Sequence, residues 1–262
     1  MLRSTRIGST CKVKPKRGSQ KDNINQDLQT CFIIAGYTGA GKSTIVRTSH
    51  ELDIRLFGEE FHQQFRDTSR LSSHEENDNY NEAIKIGANF QGKHLHNLKQ
   101  EEHPPKILLI QLDLKHVVHK LGHKAASKHA KIKIEKLTNI PTPHHKKSDP
   151  KICNLMMANY LLNPFFQRFK KIIVNTVHTP FKANYMQFST RKGRQGSKKN
   201  FSKKSKIEQE ANIHKAMYTA WENNLHLLKP EQQFITTVNS NGDLMSNGQC
   251  ICTNWKHKVG LT

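Results

Sequence analysis

A glycine-rich turn between an apolar run and a helix-forming segment constrains the fold of this chain more than any other feature. The apolar run covers residues 31–35, which have the length and character of a strand buried on both faces. The turn follows directly and reads Gly36-Tyr37-Thr38-Gly39-Ala40-Gly41-Lys42-Ser43-Thr44. Residues 43–51 then have the character of a helix. A buried strand that turns tightly into a helix predicts a parallel sheet covered by helices.

The turn also fits the pattern G-x-x-x-x-G-K-[ST], whose residue types suit the binding of phosphate. Glycines let backbone N–H groups approach an anion, and the start of the next helix carries a partial positive charge. In this pattern Lys42 would bridge the β- and γ-phosphates, and the Ser43 hydroxyl would ligate Mg²⁺. We therefore predict binding of ATP or GTP with Mg²⁺, against the alternative of an ordinary glycine turn. The predicted cofactor contacts are Gly36, Thr38, Gly39, Ala40, Gly41, Lys42, Ser43 and Thr44.

Further apolar runs alternate with helical segments along the chain. Residues 106–113 and 171–177 are predicted strands, residues 208–228 form the strongest helical pattern, and residues 234–245 suggest a hairpin or edge strand. This alternation predicts an α/β fold with a mostly parallel sheet of the phosphate-binding-loop type, flanked by helices.

Composition divides the chain into a tail and one domain. Residues 1–29 are polar, basic and aperiodic and are predicted to be a disordered tail, whereas residues 30–262 would form the nucleotide-binding domain. Inside the domain, residues 56–80 are polar and turn-rich, which predicts a loop. Residues 152–169 predict a helix that is broken or kinked near Pro164.

Asp113 ends the second predicted strand and is the main candidate for further chemistry. In parallel sheets, ligands bind at the carboxyl ends of the strands, so Asp113 and Thr179 should converge on the glycine-rich turn. Asp113 could hold Mg²⁺ or act as the base on an acceptor hydroxyl. It could also simply cap the helix that follows. The sequence leaves these roles open.

Residues 191–206 are strongly basic, with glycines and serines and no acidic residue. Such a segment can close over phosphates as a lid, and a guanidinium can bind a phosphate through two parallel hydrogen bonds. Arg191 is therefore a third predicted catalytic residue beside Lys42 and Asp113, with Arg194 a close alternative. The competing interpretation is a solvated loop.

The charge balance indicates anionic partners. Among 262 residues, 42 lysines and arginines face 21 aspartates and glutamates, a net charge of +21. This excess of positive charge would attract nucleotides, nucleic acid, anionic glycans or acidic membranes. The alternative explanation is that the protein comes from a generally basic proteome. Five cysteines without disulfide-like spacing favour a reduced, cytoplasmic location, and no apolar stretch approaches the ~20 residues of a transmembrane segment.

Residues 36–44 and, less specifically, Asp113 resemble the P-loop NTPase class in its nucleotide- and small-molecule-kinase-like branch. The Asp113-Leu114 pair and the Tyr218-to-Trp221 spacing are also similar to uncharacterised bacterial P-loop proteins. The resemblance implies an α/β fold that binds ATP or GTP with Mg²⁺, but it does not name an acceptor. Gln111, in the strand before Asp113, departs from it, and an adenine-binding signature is missing.

Three functions follow as hypotheses. The first is a Mg²⁺-dependent phosphotransferase acting on a small or glycan-like acceptor. The second is a nucleotide-dependent ATPase or switch that binds nucleic acid through its basic surface, although the lysines lack interleaved aromatic residues. The third is a sulfotransferase-like enzyme, which Lys42 argues against.

Overall fold

The computed structural model describes residues 30–73, 107–118, 149–163, 166–184 and 204–261. The elements in chain order are β1 (Thr30–Gly36), α1 (Lys42–Glu51), α2 (His62–Ser73), β2 (Ile107–Asp113), α3 (Leu114–His116), α4 (Pro150–Leu161), β3 (Lys171–Val177), α5 (Lys204–Asn224), β4 (Gln232–Val238), β5 (Leu244–Ser246), β6 (Gln249–Cys252) and α6 (Trp255–Lys258). Short 3₁₀ turns cover Phe166–Arg168 and Leu225–Leu228. Within these ranges, none of the helices has the length and apolar character needed to cross a bilayer.

The strands form one sheet in the order β2-β1-β3-β4-β5-β6. The first four are mutually parallel, and β5 and β6 continue the sheet antiparallel. The predicted α/β fold with a mostly parallel sheet is therefore confirmed. In this register Gly36 lies between Asp113 of β2 and Val177 of β3, so the carboxyl ends of the three strands share one edge.

Strand β1 is buried along its whole length because helices cover both faces of the sheet. Ile33 belongs to the core that includes side chains of α4 and α5, whereas Phe32 belongs to the core on the side of α1 and α2. Trp221 of α5 is fully buried in the first core, and its indole Nε1 donates a hydrogen bond to Thr176 Oγ1 at 2.8 Å. An apolar run with no polar alternation is the pattern expected of such a strand.

The predicted loop at residues 56–80 is correct for the turns at residues 56–61 and wrong for residues 62–73, which form helix α2. Helix α2 begins at His62, and Phe57, Phe61 and Phe65 are almost completely buried. Their rings lie 5.0, 6.2 and 5.8 Å from the Phe32 ring, centroid to centroid. Phenylalanines four residues apart anchor this segment to the sheet, although the residues between them are mostly polar.

Other predictions have mixed outcomes. Helix α4 ends at Leu161 and a 3₁₀ turn follows at Phe166–Arg168, which agrees with the predicted break before Pro164 because proline disfavours helix in the preceding residue. The predicted tail at residues 1–29 lies outside the described residues. The basic segment 191–206 also lies outside them up to residue 203, and its last residues belong to α5.

Candidate functional site

The turn between β1 and α1, residues 36–41, is called the glycine loop below. Gly39 and Gly41 both adopt a φ of 86°, in the left-handed region that glycine enters without steric cost. The Ala40 N–H donates to the Tyr37 carbonyl at 3.0 Å and closes the turn. Gly41 directly precedes α1 and provides no side-chain cap, so the N-terminal end of this helix opens onto the loop. A helix start of this kind favours an anion.

Gly36 has a packing role that the sequence pattern did not indicate. A Cβ atom at this position would lie 2.7 Å from the Val177 carbonyl oxygen and 3.3 Å from the Ala40 Cβ. Strands β1 and β3 therefore approach each other at a point where only hydrogen fits. Glycine is needed here for space.

Lys42 is buried, and its ammonium contacts the backbone of the glycine loop. Its Nζ donates hydrogen bonds of 2.9 Å to the carbonyl oxygens of Gly36 and Tyr37, and only 7% of the residue is exposed. Buried cationic groups need such acceptors because desolvation is costly. The fold thus holds one positive charge against the backbone of the loop.

The two polar side chains at the end of β2 contact different residues. The Ser43 hydroxyl donates to Gln111 Oε1 at 3.0 Å. The Thr38 hydroxyl lies 2.9 and 2.7 Å from the two carboxylate oxygens of Asp113. Asp113 also accepts from the His116 N–H at 3.1 Å and so caps α3. The Asp113 carboxylate therefore both caps α3, as one of the predicted alternatives required, and contacts the glycine loop.

The predicted convergence at the carboxyl edge is confirmed. Asp113 contacts Thr38 from β2, and Thr179, which follows β3, donates through its hydroxyl to the Ala40 carbonyl at 3.4 Å. Both neighbouring strands of β1 therefore deliver a side chain to the glycine loop.

Tyr218 of α5 is a site residue whose role the sequence did not reveal. Its phenol donates to the Val177 carbonyl at 2.7 Å and accepts from the Tyr37 N–H at 3.3 Å. Burial raises the pKa of Tyr218 to about 12, so the phenol keeps its donor proton at neutral pH. The available sequence signals were its position in the strongest helical pattern, residues 208–228, and the Tyr218-to-Trp221 spacing of the resemblance.

Glu210, about two helical turns before Tyr218 on α5, contacts the same region. Tyr37 donates through its phenol to Glu210 Oε1 at 2.8 Å, and Lys115 pairs with the same oxygen. The Lys115 ammonium also lies 5.7 Å from the centroid of the Tyr37 ring. Burial, then the Glu210 charge, raises the pKa of Tyr37 far above its usual range. Helix α5 is thus joined to the glycine loop through both tyrosines.

His214 completes the packing between α5 and the loop. Its ring lies 4.8 Å from that of Tyr37 and 4.9 Å from that of Tyr218. Its Nε2 lies 3.0 Å from the Thr179 carbonyl oxygen and 3.0 Å from the side-chain nitrogen of Asn184. Burial lowers the pKa of His214 and favours the neutral ring. The cluster is a buried support for the loop.

The predicted arginines of the basic segment stay predictions. Arg191 and Arg194 lie outside the described residues. Within the described ranges there is no group of three or more histidine, cysteine, aspartate or glutamate side chains that could hold a metal.

Comparison with known proteins provides no relative: no protein-family model, curated protein or solved structure matches this chain. Function has to be inferred from the residues around the glycine loop.

Proposed function

We propose that the chain binds a nucleoside triphosphate with Mg²⁺ at the glycine loop and transfers the γ-phosphoryl group to a small or glycan-like acceptor. The supporting observation is the combination of two left-handed glycines, Gly39 and Gly41, with the open start of α1 and the buried ammonium of Lys42. Backbone N–H groups, a helix start and a cation at one turn form an environment suited to a phosphate chain.

Lys42 is the proposed cationic contact of the phosphates. Its ammonium now binds two neutral carbonyl oxygens, those of Gly36 and Tyr37. A phosphate oxygen is a stronger, charged acceptor, so a bound triphosphate would compete for the same protons. In phosphoryl transfer the ammonium would stabilise the charge that develops on the transferring group.

The residues beside the loop suit Mg²⁺ in their chemistry. Ser43, Gln111 and Asp113 offer a hydroxyl, an amide and a carboxylate oxygen, and Mg²⁺ prefers oxygen ligands. Three side chains are too few to enclose the ion, so most of its other ligands would be phosphate oxygens and water. When bound, Mg²⁺ would neutralise negative charge on the phosphate oxygens.

Asp113 is the proposed general base. Its carboxylate is 8% exposed and accepts a hydrogen bond from the Thr38 hydroxyl beside the glycine loop. An acceptor hydroxyl that took the place of the Thr38 hydroxyl would donate to the same oxygen, as proton abstraction requires.

The first experiment measures nucleotide binding by thermal unfolding with ATP or GTP and Mg²⁺. A nucleotide at about one hundred times its Kd stabilises the native state by about 2.7 kcal/mol. In a domain of this size that corresponds to a rise in Tm of about 5–10 °C. The rise should vanish in Lys42→Ala and persist in Lys215→Ala, which removes the same charge from an exposed position on α5. Absence of a shift with both nucleotides would refute the proposal.

The second experiment identifies the reaction. We expect slow nucleotide hydrolysis by the protein alone and faster diphosphate release when a metabolite or glycan library contains the acceptor. Asp113→Asn should abolish this stimulation while nucleotide binding persists. Rapid hydrolysis without an acceptor, stimulated by DNA or RNA, would instead indicate the nucleic-acid-dependent ATPase.

A further inference from the structure

Gln111 and Asp113 stand two residues apart on β2, and both reach the region of the glycine loop with different partners. Gln111 accepts from the hydroxyl of Ser43, the second residue of α1. Asp113 accepts from the hydroxyl of Thr38, within the loop itself. Both side chains are buried, at 8% exposure each. The amide and the carboxylate therefore occupy separate positions, and the neutral one is beside Ser43.

We infer that the neutral amide of Gln111 supports the metal-side hydroxyl of Ser43, and that the Asp113 carboxylate is left for the acceptor. This inference rests on the proposed function, because it concerns the same nucleotide and the same metal. The Ser43 oxygen can offer a lone pair to a cation while its proton is donated to Gln111 Oε1. The amide then orients the hydroxyl without adding negative charge.

A neutral partner for Ser43 has a measurable consequence. The phosphates alone would balance most of the charge of Mg²⁺, so nucleotide affinity would depend only moderately on the metal. A carboxylate at position 111 would attract the cation and repel a metal-free triphosphate. Both effects raise the ratio of the nucleotide Kd in EDTA to the Kd in Mg²⁺, which measures the coupling between metal and nucleotide.

The Asp113 carboxylate has hydrogen-bond partners other than Ser43. Its oxygens accept from the Thr38 hydroxyl and the His116 N–H. Asp113→Asn preserves the shape of the side chain and one oxygen acceptor. If Asp113 serves the acceptor, this change should lower transfer far more than it changes the metal dependence of nucleotide binding.

The test uses calorimetric titration of the full chain with a non-hydrolysable ATP or GTP analogue, in EDTA and in excess Mg²⁺. We expect Gln111→Glu, which matches glutamine in length, to raise the ratio of the two Kd values at least about fivefold, the lower end of ordinary two-ligand coupling. Asp113→Asn should leave the ratio within about twofold of wild type. Gln111→Asp gives a second route to a carboxylate if Gln111→Glu does not fold, as judged by its thermal unfolding.

The outcomes separate the two proposals. An unchanged ratio in a folded carboxylate variant at position 111, or loss of metal dependence in Asp113→Asn, would overturn the assignment of Gln111 while nucleotide binding stands. If the wild-type chain binds neither analogue, whether in EDTA or in Mg²⁺, the proposed function and this inference are both overturned.

Discussion

Gly36→Ala tests whether the glycine loop is positioned by close contact between β1 and β3. Gly36 pairs with Val177, and an added Cβ would lie 2.7 Å from the Val177 carbonyl oxygen. Contacts below 3.0 Å are not tolerated by real Cβ atoms, and the obstructing atom belongs to the backbone. Gly36 is not among the residues with positive φ, so its backbone conformation suits alanine. The cost should come from space alone.

The magnitude follows from the neighbours of the new methyl group. Overpacking a tight site costs about 1–3 kcal/mol. The Val177 oxygen also accepts from the Tyr218 phenol at 2.7 Å, so its displacement weakens a buried hydrogen bond at a cost of about 1 kcal/mol. Loss of glycine entropy from the unfolded chain offsets about 0.4–1 kcal/mol. We expect a net destabilisation of about 2 kcal/mol.

The assay is urea unfolding followed by tryptophan fluorescence, since Trp221 and Trp255 are both buried. Gly248→Ala is the comparison variant. It meets no atom within 4 Å but has a φ of 81°, so it should lose only the roughly 1–2 kcal/mol of left-handed strain. A Gly36→Ala protein within about 0.5 kcal/mol of wild type would refute the reasoning from space.

Two further predictions concern the buried groups around the sheet. Tyr218→Phe leaves the Val177 carbonyl and the Tyr37 N–H without their phenol partner. Urea unfolding should therefore show that the free energy of unfolding falls by about 1–3 kcal/mol. Unchanged stability would mean that the phenol does not hold the loop. Burial raises the pKa of Cys153 to about 12 and that of Cys31 further, whereas Cys250 is exposed. Ellman's reagent at pH 8 should therefore modify Cys250 quickly and both buried thiols only after unfolding, with sites identified by mass spectrometry; rapid native modification of Cys31 would contradict the burial of β1.

The strands of the parallel sheet could be predicted because their signals are local. The runs at β1, β2 and β3 are continuously apolar, as expected of strands covered on both faces. The glycine loop was equally accessible, because Gly39 and Gly41 adopt backbone conformations that glycine favours. Asp113 was found from its place at a strand end.

Helix α2 was missed because its anchoring residues are few. Phe57, Phe61 and Phe65 are buried but are separated by mostly polar residues. Because most residues of the segment are polar, its composition predicts a loop. Their burial depends on Phe32, which lies about 25 residues or more before them in the chain. Spacing by four was the available signal.

The amino-acid order by itself determined where the chain turns from strand to glycine loop to helix, since backbone preferences and continuous apolar runs act over a few residues. Only the tertiary structure decided which side chains meet at that loop. Ser43 contacts Gln111 and Thr38 contacts Asp113, across 68 and 75 positions, and Tyr218 bonds the loop across 181. Such pairings depend on the register of β1 between β2 and β3 and on how α5 packs over them, and no local sequence signal encodes either.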